Sequence, residues 1–228
     1  MRNRMLLFGV SVAALAAAGL TVARAATNFP EPPKTSAPAA GTASIVLAGG
    51  CFWGMQGIFE HMKGVTNTVV GYAGGTKETA HYDMVAERNT GHAESIRITY
   101  DPSKITYGEL LKVYFSAAHD PTTLNRQHYD EAPEYRSAIF YSDEEQKNIA
   151  EAYIRELNDA HVSKEMDWAN GKIVTQVVPL RGAFYPAEPE HQHFLDRNPT
   201  QGYIAAVDIP LLNKFKAKYP ELYTKEIK

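Results

Sequence analysis

A single cysteine, Cys51, occurs among the 228 residues, so an internal disulfide is excluded. A basic excess is also missing. Lys and Arg number 23 against 26 Asp and Glu, giving a formal net charge of −3, and such a chain lacks the positive face that nucleic-acid binding requires. Long apolar runs are confined to residues 5–22, preceded by Arg2 and Arg4 and followed by Ala23-Arg24-Ala25. That pattern reads as a secretory signal peptide over residues 1–25, cut near Ala25. The run approaches the roughly 20 residues of a spanning helix, so an uncleaved anchor is the alternative. Cleavage removes three arginines and no acid, taking the net charge from −3 to −6. The expected location is therefore outside the cytoplasm, in the periplasm. A lone thiol kept in an oxidising compartment is either reactive or intermolecular.

What is present divides into two parts. Residues 26–43 carry Pro30, Pro32, Pro33 and Pro38 among small polar residues, a composition that buries little and reads as an extended linker. Residues 44–228 suffice for one catalytic domain. Within it, 44–47 is apolar and strand-like, and 52–62 places Phe52, Met55, Ile58, Phe59 and Met62 at helical spacing. Residues 65–72 and 95–100 read as strands. Thr106 with Glu109, and Ser142 with Glu145, mark capped helix starts on either side of a strand over 137–141. A strand over 173–180, a short helix opened by Pro189 and a terminal helix over 210–219 follow. The order predicts an α+β two-layer sandwich with a ferredoxin-like split βαβ core. Two stretches, 72–93 and 119–136, are too long and too rich in Tyr, His, Asp and Asn for simple connections, and are expected to build a site.

Cys51 lies in Gly49-Gly50-Cys51-Phe52-Trp53-Gly54, where a strand ends in two glycines and a helix begins. Unpaired N–H groups at a helix start favour thiolate over thiol, so Cys51 is expected to be an activated nucleophile. Phe52 and Trp53 offer an apolar wall beside the sulfur. Three classes fit a nucleophile in this setting: a thiol-based redox enzyme, a hydrolase or acyltransferase pairing Cys51 with a base such as His119, and a non-catalytic surface-binding module in which Cys51 only packs. Metal binding is not expected. His191 and His193 stand two apart, which on a helix do not share a face, and no partner spacing completes a site.

Five segments together discriminate among these classes: Gly50-Cys51-Phe52-Trp53-Gly54, Gly91-His92-Ala93-Glu94, His119-Asp120-Pro121-Thr122, Tyr135-Arg136-Ser137 and Phe184-Tyr185-Pro186-Ala187-Glu188. In content and order they resemble the A-type peptide methionine sulfoxide reductases. The resemblance implies reduction of the S epimer of methionine sulfoxide, free or in proteins, through a Cys51 sulfenic acid. Glu94 would be the proton donor, held protonated by an apolar pocket, with Tyr82 and Tyr135 donating to the sulfoxide oxygen. Phe52 and Trp53 would line a slot for the substrate methyl, and Asp130 would contact the substrate main chain. Around Asp130 the chain departs from the family pattern, reading Tyr129-Asp130-Glu131-Ala132-Pro133-Glu134. Many members carry a second cysteine near the C-terminus, and residues 198–228 contain none. The resemblance thus implies an external thiol, a small molecule or a thioredoxin-like protein, as reductant, with no bound cofactor.

Overall fold

The computed structural model describes residues 29–34, 41–162, 166, 168–181 and 183–227. The proposed leader, 1–25, lies outside the described residues. Among those described, no helix is long and apolar enough to cross a membrane.

The chain opens with β1 (Ala43–Ala48), α1 (Phe52–Glu60) and β2 (Val65–Ala73), then a short helix α2 (Tyr82–Val85) and β3 (Ala93–Tyr100). Next come α3 (Tyr107–Val113), a π-helical turn over Tyr114–Ala118, and a small hairpin of β4 (Arg126–Gln127) and β5 (Asp130–Glu131). β6 (Ala138–Tyr141), α4 (Glu144–Asp159), β7 (Gln176–Pro179) and β8 (Tyr185–Pro186) precede α5 (Phe194–Arg197) and α6 (Ile209–Lys218). Six strands form one sheet in the order β7-β6-β1-β3-β2-β8. Only the β6–β7 pair is parallel. β1 and β2 both pair antiparallel with β3, which lies between them, while α1 connects them. This is the predicted split βαβ unit.

The period-2 alternation of β1 decides what lies on each face. Ile45 and Leu47 point into the main core with Phe59, Ile96, Leu111, Tyr153 and Phe215, whereas Val46 and Ala48 join Phe140 and Phe184 in a second cluster. Both sheet faces are therefore covered. Helix starts agree with the capping signals, with one shift. Thr106 Oγ1 accepts from the Glu109 N–H at 3.1 Å while Glu109 Oε2 accepts from the Thr106 N–H at 2.8 Å. For α4 the cap is Asp143 rather than Ser142, its carboxylate accepting from the Gln146 N–H at 2.8 Å. A carboxylate at this position accepts more strongly than a hydroxyl and complements the helix dipole.

The described part of the proline-rich stretch is packed rather than free. Phe29 is 6 % exposed and meets Tyr153 and Trp168 edge-on. Tyr153 donates to the Pro30 carbonyl at 2.7 Å, and Lys112 pairs with Glu31. The composition argued against burial, but one aromatic among the prolines is enough to dock an extended segment. At the far end of α1, Glu60 is fully buried beside Asp196 of α5 and is pushed up to about 9 by burial and by that carboxylate. Its neutral form is favoured there, and its Oε2 lies 2.6 Å from His193 Nδ1.

Candidate active site

Cys51 is the N-cap of α1, half-buried, with extended backbone and no side-chain capping bond. Two glycines deliver it there. Gly50 has φ +90°, a region L-residues rarely adopt, and its N–H donates to the Tyr135 carbonyl at 3.2 Å. A Cβ at Gly50 would fall 2.6 Å from Gln127, and one at Gly49 would fall 2.9 Å from the His119 ring. Those two side chains form the floor beneath the turn.

Glu94 lies on β3, 4 % exposed, and its Oε2 accepts the Phe52 N–H at 3.0 Å. The carboxyl is thus bonded to the residue immediately after the nucleophile. Antiparallel register sets Glu94 opposite Tyr72, so their side chains share a face. Tyr72 and Phe52 belong to one buried cluster, their rings 6.0 Å apart. Burial is the largest influence on Glu94 and pushes it up to about 8, against the downward pull of the Phe52 N–H; Asp130, Glu134 and Asp208 push it further up. At neutral pH Glu94 is an acid with a proton to give.

The same surroundings correct the expected ionisation of Cys51. Burial first, then the charges of Glu94 and Asp208, push its thiol well above the ordinary range, and the backbone N–H of Trp53 pulls it down only in part. A helix terminus supplies a fraction of a charge, typically under about 2 kcal/mol; desolvation together with nearby carboxyls outweighs it. The resting sulfur is a thiol, not a thiolate.

The two long connections deliver the remaining side chains, as expected. Tyr82 begins α2, and its N–H donates to Glu188 Oε1 at 3.0 Å. Tyr135 closes the 3-10 turn Pro133–Tyr135, which Pro133 opens with its fixed φ. Glu94, Cys51 and Asp130 all push both tyrosines upward, beyond the effect of burial, so the five groups converge on one space. Asp130 sits on β5 and accepts a hydrogen bond from Tyr203. Trp53 stacks on Phe194 with centroids 4.0 Å apart, and His191 lies 5.8 Å from Trp53 and 4.4 Å from Tyr82. Together with Phe52 these rings form an aromatic cluster that packs against Cys51. The structure thus brings Glu94, Tyr82, Tyr135, Phe52, Trp53 and Asp130 together around Cys51.

Several residues escaped the sequence reading. Tyr72 donates to Glu188 Oε2 at 2.9 Å, tying β2 to the segment after β8. Asp208, which ends the π-helical turn Ile204–Asp208 before α6, and Tyr203, which immediately precedes that turn, both line the cleft beside Cys51. No local pattern marks either residue, because a π-helical turn carries no sequence signature of its own. Gln192 also ties the segment after β8 to β2: its amide oxygen accepts from the Val70 N–H and its NH2 donates to the Val70 and Ala187 carbonyls, each at 3.0 Å.

His119 is not placed to act as the base of the hydrolase alternative. Its Nδ1 faces the Tyr114 carbonyl at 3.0 Å and so must carry the proton, leaving Nε2 to accept from the Ser137 hydroxyl at 2.7 Å. Both nitrogens are engaged, and burial lowers the ring to about 4. It is a neutral structural histidine without a free lone pair for Cys51.

The site sets a lone thiol and a buried carboxyl one backbone N–H apart at the start of α1. Comparison with known proteins gives the family. The family model described as peptide methionine sulfoxide reductase matches residues 43–223. A peptide methionine sulfoxide reductase MsrA 2 of Mesorhizobium japonicum is 48% identical over 188 residues, covering 82% of this chain and 93% of its own, and one of Synechocystis is 48% identical over 186 residues, covering 82% and 84%. Among solved structures, methionine sulfoxide reductase A of Corynebacterium diphtheriae superposes with a TM-score of 0.63 at 34% identity, covering 72% of this chain and 79% of its own. Reduced Mxr1 of Saccharomyces cerevisiae gives 0.63 at 33% identity, covering 73% and 90%. The chain belongs to the peptide methionine sulfoxide reductase family.

Proposed function

We propose that this chain reduces the S epimer of methionine sulfoxide, free or in proteins, with Cys51 as nucleophile and Glu94 as acid. The observation that carries the assignment is the Phe52 N–H bond to Glu94, which fixes a protonated carboxyl beside the sulfur. The first half-reaction balances without net water. The Cys51 thiol and the sulfoxide become a Cys51 sulfenic acid and a thioether, oxygen moving from one sulfur to the other with two electrons moving in the opposite sense. As the Cys51 sulfur bonds the sulfoxide sulfur, charge grows on oxygen, and Glu94 protonates it. The hydroxyls of Tyr82 and Tyr135 donate to the same oxygen. The substrate methyl enters the slot of Phe52 and Trp53, whose ring faces suit sulfur and methyl, and Asp130 faces the substrate main chain.

Two equivalents of thiol then return the sulfenic acid to thiol, releasing a disulfide and water. The 228 residues hold no second cysteine, so that thiol comes from outside the chain, from a thioredoxin-like protein or a small molecule. Export to the periplasm is supported by Arg2, Arg4, the apolar run over 5–22 and Ala23-Arg24-Ala25. An intact mass beginning near residue 26 in the periplasmic fraction is the expected result; an uncut chain in the membrane fraction argues for an anchor.

The activity test supplies each epimer of a sulfoxide dipeptide with and without dithiothreitol. Without thiol, one equivalent of methionine product and a sulfenic adduct on Cys51 are expected from the S epimer alone. Sustained turnover without thiol, or equal use of both epimers, overturns the scheme.

A further inference from the structure

The resting thiol leaves one proton unaccounted for. Cys51 must lose it to attack, and Glu94 cannot accept it while serving as the acid. The carboxyls whose charge reaches the Cys51 sulfur are Glu94, Asp208 and Asp130, and Asp130 is engaged by Tyr203. One carboxyl near the sulfur remains. Asp208 is 1 % exposed, and its Oδ2 has no hydrogen-bond partner among the described residues. It ends the π-helical turn before α6 and lines the same cleft as Cys51, with Gly50, Met55, Gln127 and Tyr203. Its position depends on Gly54, three residues beyond Cys51: a Cβ there would stand 2.5 Å from Asp208 Oδ1. The carboxyl therefore rests against the first turn of α1. Glu94 reaches the same turn from the sheet, and Asp208 reaches it from the helical layer.

We propose that Asp208 is the base that takes the Cys51 thiol proton when sulfoxide is bound. This rests on the reductase reading above. The S–H bond breaks, its proton passes to the Asp208 carboxylate, and the sulfur lone pair bonds the sulfoxide sulfur while Glu94 protonates the oxygen. Oxygen transfer then yields sulfenic acid and thioether, leaving Asp208 protonated and Glu94 ionised. One proton returned from Asp208 to Glu94 through solvent restores the start. Burial, with Asp130 adding to it, lifts Asp208 to about 7, which suits a base working near neutrality.

A purely electrostatic Asp208 would behave oppositely. Its charge raises the Cys51 thiol, so removing it would release thiolate and speed attack. The test is single-turnover methionine formation from a saturating S-sulfoxide dipeptide by wild type, Asp208→Asn and Asp208→Glu, between pH 5.5 and 9.5. Asp208→Asn should be about 10- to 100-fold slower with substrate affinity within about twofold, and Asp208→Glu should recover part of the rate. Wild type should show a rising limb near pH 7 that Asp208→Asn lacks. The groups facing Asp208 are Cys51, Glu94, Asp130 and Tyr203, and His128 lines the same cleft. Asp208→Asn as fast as wild type, or faster, overturns the role. Wild type that forms no methionine even with excess thiol overturns the reductase reading instead.

Discussion

Glu94 is the residue on which the proposed chemistry turns. A carboxyl held up to about 8 donates below that pH and is ionised above it. The alkaline limb of kcat should therefore fall through about pH 8. Glu94→Gln keeps an acceptor for the Phe52 N–H but has no acidic proton, so kcat should drop by about 10²-fold or more with a smaller change in substrate affinity. Steady-state kinetics with separate kcat and KM would check both, and an unchanged kcat would remove Glu94 from the acid role. Tyr82→Phe and Tyr135→Phe should each lower kcat by about tenfold, the double variant losing more than either. The sequence named these residues only through family resemblance. Glutamates and tyrosines are ordinary side chains until the fold sets them around one sulfur.

At the scale of elements, the turn into α1 and the junction at its far end are the informative places. Gly50→Ala forces a side chain into positive φ and against Gln127, and should cost about 1–3 kcal/mol in urea unfolding. The doubled glycine was visible in the sequence; what it clears was not. At the other end, the folded pKa of Glu60, about 9, lies above its ordinary 4.5. Between those values the native state holds a proton that the unfolded chain has lost, so stability declines as pH rises through this window. Glu60→Gln keeps the shape and removes this contribution. Its Tm should decline less than that of wild type between pH 5 and 9, the residual slope coming from Glu94 and Asp208, which are raised in the same sense. Equal slopes would show that Glu60 is ionised in the fold.

At the scale of the whole molecule, the docked proline-rich segment extends the domain beyond its first strand. Phe29→Ala empties a core position against Tyr153 and Trp168 and should lower stability by about 2–4 kcal/mol in denaturant titration. Activity per folded molecule should be retained, since the segment contacts α3 and α4 rather than the cleft. A loss below about 0.5 kcal/mol would mean that the segment is not docked in solution.

Local patterning determined much of this protein without help: strand alternation, helix spacing, caps and punctuating glycines specified the split βαβ core, and the spaced motifs carried the family. Charge states and convergence were decided only in three dimensions. A helix start argues for a thiolate, yet burial and carboxyls brought from β3, the hairpin and the π-helical turn hold Cys51 as a thiol. Asp208 and Tyr203 have no local signature, and they matter because the helical layer packs its π-helical turn against the first turn of α1. Desolvation depends on everything that surrounds a group, and no stretch of chain carries that information by itself.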